Sequence, residues 1–215
     1  MLSNDEQDKL VSLTLREFAN ETASESPAPG GGSIAAYMGS LGISLATMVA
    51  NLSAHKRGWD QRWKEFSDWA EKGQKIKDEL LSLVDEDTNA FNKIMEAFSL
   101  PKSSDKEAKI RSEAIQNATK YATEVPLKTM ILAYSSFPII KAMAEIGNPN
   151  SISDAGVGAL CARSAVIGAY MNVRINAAEL KDEVFKKEIL AKAEKIKNDA
   201  IKEEEAILKI IYKTI

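Results

Sequence analysis

From Ser26 to Ala54 the chain carries no charged side chain. The run reads SPAPGGGSIAAYMGSLGISLATMVANLSA, a rigid Pro-Ala-Pro entry and the glycines Gly30, Gly31 and Gly32, ahead of about five uncharged helical turns. Ser33 is of a type that caps helices, and the expected helix runs from Ile34 to roughly Ser53. Three structures can hold such a run: a phosphate-cradling loop, a membrane span, or the central helix of a bundle. The phosphate loop fails on context, because the glycines lack a following Gly-Lys-Ser/Thr and no strand pattern precedes them. The segment is long enough to span a bilayer. Against a span stand Ser40, Ser44, Thr47, Asn51, many alanines and two glycines, and no other segment resembles a partner span. Gly39, Gly42 and Ala46 suit close packing, so the expectation is a buried central helix and no membrane anchor. The N–H groups of Gly31 to Ile34, at its positive end, remain open to an anion or a ligand carbonyl.

Helical spacing also organises the rest. Apolar residues recur from Asp5 to Thr22, and a long pattern runs from Trp59 to Phe98, closed by Pro101. Ser103 or Ser104 opens another helix, and Pro126 suits the first turn of a further one. Pro138 is expected to kink its segment, and Gly147-Asn-Pro-Asn150 is a turn. Ser151 or Ser153 caps a helix reaching about Leu180, and Asp182 begins a charged one ending near Tyr212. No alternating strand pattern and no repeat occurs. The expected fold class is all-α: one helical bundle with long central helices, spanning residues 1–215 as a single domain.

Composition narrows the function classes. A net charge of −3 and a pI near 5.4 argue against binding nucleic acid or an anionic membrane, which need a basic excess. One cysteine, Cys161, fits a reducing compartment, and with the single histidine, His55, it is too little for a Cys/His zinc site. The start, MLSNDEQDKLVSL, is acidic and lacks the basic region of a secretory signal, so a cytoplasmic location is expected.

The Trp59–Phe98 pattern holds the sharpest chemical signal. Its stripe reads Trp59, Trp63, Phe66, Ala70, Gly73, Ile76, Leu80, Val84, Asp87, Phe91, Ile94, Phe98. A carboxylate therefore sits where packing wants an aliphatic group. A buried carboxylate without a partner is costly and has a raised pKa, which is what a general acid/base at neutral pH needs. The alternative is an ionised Asp87 that caps another helix or accepts backbone N–H bonds; both readings stand at this point. Asp85 lies roughly 200° around the helix, so it shares no face with Asp87 and is expected to be solvated or bonded to Thr88 or Asn89.

In the helix after Asn150, Asp154, Cys161, Ala165, Gly168, Asn172 and Asn176 share one broad face. Asp154 and Asn172 lie about 27 Å apart along a straight helix, so one copy of it cannot bring both to one small group. Asp154 also suits a helix N-terminus, and the two asparagines suit interhelical hydrogen bonds. Lys56 and Arg57 end the uncharged helix where cations are favoured, Lys102 lies in a loop, and Arg163 and Arg174 share a face as anion ligands or ion-pair partners. Glu203-Glu-Glu205 reads as a solvated face, and Cys161 as a small core residue.

Several blocks together carry a family resemblance. Ser26-Pro-Ala-Pro-Gly-Gly-Gly-Ser33, Met48-Val-Ala-Asn51, Val84-Asp-Glu-Asp87 with Ala90-Phe91, Leu100-Pro-Lys102, Val125-Pro126, Ser153-Asp154 and Gly168-Ala-Tyr-Met-Asn-Val-Arg-Ile-Asn176 resemble the cyclodeaminase family. That family comprises the C-terminal domain of formimidoyltransferase-cyclodeaminase and free-standing relatives that include methenyltetrahydrofolate cyclohydrolases. The resemblance covers nearly the whole chain, the last helix excepted. It implies an all-helical homodimer acting on one-carbon tetrahydrofolates, with no cofactor beyond the substrate and no metal. The transferase domain of the bifunctional enzymes has no counterpart here, so coupling to a separate glutamate formimidoyltransferase is expected. Asp87 matches the acidic residue assigned as catalytic in the family.

On chemistry, Gly30, Gly31, Gly32, Ser33 or Asn172 are expected to bind the pterin carbonyl, and Asp154 its amino-pyrimidine edge. Lys56, Arg57, Lys102 or Arg174 are candidates for the glutamate tail, and Asn176 joins the substrate-binding set. The resemblance favours a cyclodeaminase over a cyclohydrolase through Gly168-Ala-Tyr-x-Asn-Val and the Asp182–Ile189 segment. A non-catalytic helical folate-binding or scaffold dimer, with Asp87 structural, is the reading from a different class.

Overall fold

The structure, a computed structural model, describes residues 9–215. A short 3-10 turn, Leu10–Ser12, precedes α1 (Leu15–Thr22), α2 (Gly31–Ala54), α3 (Trp63–Ser99) and α4 (Asp105–Ser135). Then come α5 (Phe137–Ile146), α6 (Ile152–Ala178) and α7 (Glu183–Thr214). No strand occurs among the described residues, so the all-α expectation holds.

Local chemistry sets most boundaries. Thr14 and Glu17 form a capping box at α1, as Ser104 and Glu107 do at α4, each satisfying two otherwise unpaired donors. Asp182 caps α7 by accepting the Phe185 N–H at 3.0 Å. The first expected helix is interrupted, because Thr14 restarts the chain at α1; the part of that expectation before Lys9 lies outside the described residues. Pro138 falls in the first turn of α5, where a missing N–H is harmless, and the chain turns there through Ser136. At the 147–150 turn, the Asn148 N–H donates to Ser53 Oγ at 2.8 Å, which ties the turn to the end of α2.

Two boundaries differ from expectation. Pro126 does not open a helix; it lies inside α4, which runs unbroken from Asp105 to Ser135. Ser33 is not the cap of α2. Gly30 is, without a side chain to do the capping, and Ser33 is buried in the helix's first turn.

α2 packs along both α3 and α6, α4 joins those two on the far side, and α7 covers the outer side of α6. Gly42 of α2 and Gly158 of α6 sit where a Cβ on either would lie 2.9 Å from the other's carbonyl oxygen, so only glycine permits this approach. Ile43, Val49, Phe66, Leu80, Val84, Met130 and Val166 fill the core between the helices. The uncharged run is thus a core helix, as expected. A second stretch, Pro149–Ala178, is also long and apolar enough to cross a membrane, which corrects the reading that no other segment resembles one. Both are flanked by bundle neighbours, yet Leu41, Met48 and Leu52 of α2 and Val157 and Leu160 of α6 remain exposed.

Candidate active site

Asp87 is half-buried at the seam position of α3 that faces the start of α2. Ser33 Oγ lies 3.1 Å from its Oδ2 and 2.9 Å from the Val84 carbonyl oxygen. Burial pushes the Asp87 carboxyl above the usual carboxylate range, while the Ser33 hydroxyl and amide pull it back. Ser33 has one hydroxyl proton for two acceptors. When Asp87 is ionised the proton is shared between them. When Asp87 is protonated, its own O–H donates to Ser33 Oγ, and Ser33 donates to Val84, so every donor has an acceptor. The site therefore accommodates both protonation states without orphaning a group. Asp87 thus stands beside the start of α2, whose cap residue Gly30 has no side chain to offer, and burial raises its carboxyl there.

Gly32 makes this proximity possible. A Cβ there would lie 2.1 Å from Asp87 Oδ1 and 2.6 Å from Oδ2. The third glycine is thus read as a steric requirement of the carboxyl, rather than as an anion cradle.

The carboxyl opens into a cavity of about 240 Å³ between α2, α3, α4 and α6. It is lined by Gly30, Gly31 and Gly32 at the start of α2, by Asp87, Phe91 and Ile94 of α3, and by Asn172 and Asn176 of α6. Asn172 Nδ2 donates to the Gly168 carbonyl at 3.0 Å and Asn176 Nδ2 to the Ala122 carbonyl at 2.6 Å. No lysine, arginine or histidine is among the described lining residues.

The other expected site residues lie elsewhere. Ser33 stands behind Asp87 rather than on the cavity wall. Asp154, half-buried in the first turn of α6, is outside the cavity, as the helix arithmetic required. Lys56 rests over the Trp59 ring at 4.3 Å, and exposed Arg174 over Tyr170 at 5.9 Å. Lys102 is exposed beyond the end of α3, and Arg57 beyond α2. None of these cations lines the cavity.

Two further readings are corrected. Asp85 is half-buried rather than fully solvated, and its hydrogen bond is not to Thr88 or Asn89. It accepts the Leu10 N–H at 2.6 Å, and burial raises its pKa. Glu204 is buried, facing Arg163 at 3.9 Å, rather than part of a solvated run. Ala122, which the sequence reading passed over, lines the cavity and holds Asn176 in place. Its signal was Pro126, which cannot donate to the carbonyl one turn earlier. Cys161 is half-buried, and burial pushes its thiol up, in keeping with a packing role.

A second, larger hollow of about 510 Å³ lies along α2 and α3, lined by Met48, Asn51, Leu52, His55, Gln74 and Lys77. It contains no carboxyl, and Asn51, Leu52 and His55 are exposed in it.

The chain is 35% identical to a methenyltetrahydrofolate cyclohydrolase of Methylorubrum extorquens, over 94% of this chain and 95% of that protein. It is 39% identical to the formimidoyltransferase-cyclodeaminase of Gallus gallus over 85% of this chain, spanning 34% of that longer protein. A crystal structure of formiminotetrahydrofolate cyclodeaminase from Thermotoga maritima superposes with a TM-score of 0.83 at 30% identity, covering 93% of this chain and 96% of that one. Residues 14–195 match the family described as formiminotransferase-cyclodeaminase, and the chain belongs to that family.

Proposed function

We propose that the protein is a formimidoyltetrahydrofolate cyclodeaminase, converting 5-formiminotetrahydrofolate to 5,10-methenyltetrahydrofolate and ammonia, with Asp87 as its acid/base. The observation that carries this reading is a carboxyl raised by burial and opening into a cation-free cavity. In the substrate the protonated formimino group is a cationic amidine on N5. N10 attacks its carbon, forming the second C–N bond and a tetrahedral centre that carries both ring nitrogens and the amino group. Ionised Asp87 takes the proton from N10 and passes it to the amino nitrogen, whose bond to carbon then breaks. Ammonia leaves, and the positive charge remains on the N5–C–N10 unit. One cation gives another cation plus a neutral molecule, so no electron and no further reactant enters. Ionised Asp87 also lies close to positive charge at both ends of the reaction, and a lining free of lysine and arginine avoids opposing that charge.

The cavity is smaller than the roughly 300–1,000 Å³ usual for sites that enclose a whole drug-sized ligand. This favours a ring system inside and a glutamate tail outside, where cations are available on the surface. The reading asks for no cofactor beyond the folate itself. It includes a cytoplasmic setting, a separate glutamate formimidoyltransferase as supplier of the substrate, and a homodimer. Exposed Leu41, Met48, Leu52, Val157 and Leu160 on two otherwise core-forming helices support a second copy docking there.

A second reading has its own support: the Methylorubrum extorquens relative, matched over nearly its full length, is a cyclohydrolase. In that reaction water attacks the same carbon of the methenyl compound, and the same carboxyl serves as base. A purely structural folate-binding dimer has less support, since the relatives compared carry enzyme names. Offering the purified protein both substrates separates the readings. Ammonia release from the formimino compound supports the deaminase. Hydrolysis of the methenyl compound alone replaces it with the hydrolase, and turnover of neither supports the scaffold.

A further inference from the structure

Pro126 carries no N–H, so the carbonyl of Ala122, one turn earlier in α4, has no helical donor. Its donor comes from another helix: Asn176 Nδ2 of α6, at 2.6 Å. A carbonyl can only accept, so this bond fixes which end of the Asn176 amide faces α4. Its Oδ1 receives no hydrogen bond from the described residues, and Asn176 and Ala122 both line the cavity. One turn back on α6, Asn172 is anchored in the same sense by the Gly168 carbonyl. Both asparagines line the cavity with Asp87, and each spends its Nδ2 on a backbone carbonyl, which leaves Oδ1 as the acceptor end of its amide.

We infer that Asn176 is a specificity-determining residue whose Oδ1 accepts a hydrogen bond from the 2-amino edge of a reduced pterin. Pro126 is the positioning residue that aims it, by leaving the Ala122 carbonyl free. This rests on the folate reading above. A reduced pterin carries its one-carbon unit at N5 and its 2-amino and N3–H donors at the opposite end of the ring. The carboxyl on α3 and the amides on α6 line one cavity from different helices, and its volume suits a ring system. The carboxyl then takes the one-carbon end, and the amide oxygens take the donor end. The amino edge thereby passes from Asp154, which lies outside the cavity, to Asn176.

The test is calorimetric binding of 5-formyltetrahydrofolate and of its 2-desamino-2-methyl counterpart, which lacks the donor. Wild type is expected to prefer the amino compound by about tenfold or more. Asn176→Ala is expected to lose that preference. Pro126→Ala restores an N–H that competes for the Ala122 carbonyl, so it is expected to stay folded and to lose several-fold of the preference. Full preference in folded Asn176→Ala overturns the assignment, as does a wild type that binds both compounds equally. Undiminished preference in Pro126→Ala removes Pro126 from the device. A wild type that binds neither compound overturns the folate reading and this inference with it.

Discussion

Gly32→Ala separates catalytic geometry from stability. The added methyl would lie 2.1 Å from Asp87 Oδ1, 2.5 Å from its Cγ and 2.6 Å from Oδ2. Relief requires the carboxyl to retreat on the order of 1 Å to reach ordinary contact distance. The Ser33–Asp87 contact is now 3.1 Å, so a retreat of that size takes it beyond hydrogen-bonding range. Overpacking costs about 1–3 kcal/mol, and replacing a helical glycine returns up to about 1 kcal/mol. The net loss of about 0–3 kcal/mol corresponds to a melting temperature lowered by at most about 12 °C, within the stability of an ordinary domain. Displacing a reacting group by about 1 Å costs on the order of 100-fold in rate. The assay is kcat for ammonia release and for the absorbance of 5,10-methenyltetrahydrofolate, beside a thermal melt. Gly31→Ala is the comparison, since its Cβ would meet only the Asn172 amide, at an ordinary 3.5 Å from Nδ2 and 3.9 Å from Oδ1. A Gly32→Ala protein with wild-type kcat refutes the reasoning that Gly32 exists to admit the Asp87 carboxyl.

Three further outcomes are expected. Ser33→Ala removes a hydroxyl that favours ionised Asp87, so the acid limb of kcat/KM should move to higher pH; a limb that stays in place contradicts the Ser33 role. Because burial raises Asp87 in the fold, the folded protein keeps its proton at pH values where the unfolded chain has lost it. The contribution of Asp87 to stability should then be full below the unfolded carboxylate value near 4 and be lost as pH rises through the folded one. Asp87→Asn should flatten that decline in denaturant titrations, leaving the part due to Asp85, whose pKa is raised as well. An unchanged slope would show that Asp87 carries no such proton. Finally, Leu160→Glu places a charge on the exposed apolar face and should halve the sedimenting mass; a wild type already sedimenting as one chain removes the dimer.

The sequence revealed those features whose cause is local. Ser104 and Asp182 cap by their own side chains, and Asp87 was visible because it breaks the period of its helix. Features set by a distant partner were hidden. Ser33 looked like a cap because nothing local shows that a carboxylate from α3 already stands at the start of α2. Pro126 looked like a helix start, yet an asparagine on α6 satisfies the carbonyl it frees, and α4 continues through it. Asp85 and Glu204 looked solvated because their partners, Leu10 and Arg163, lie 75 and 41 positions away in the chain. Charge alone fixes no position, and none of the cations expected at the glutamate tail lines the cavity.

The most direct measurement is turnover of 5-formiminotetrahydrofolate by Asp87→Asn, followed by ammonia release, on protein whose helical circular dichroism and melting temperature match wild type. Asparagine keeps the size and an acceptor for Ser33 but cannot carry the proton. A fall in kcat of about 100- to 10,000-fold is expected, the usual worth of a positioned acid/base. Unimpaired turnover in the folded variant would contradict the assignment of the reaction's proton transfer to Asp87.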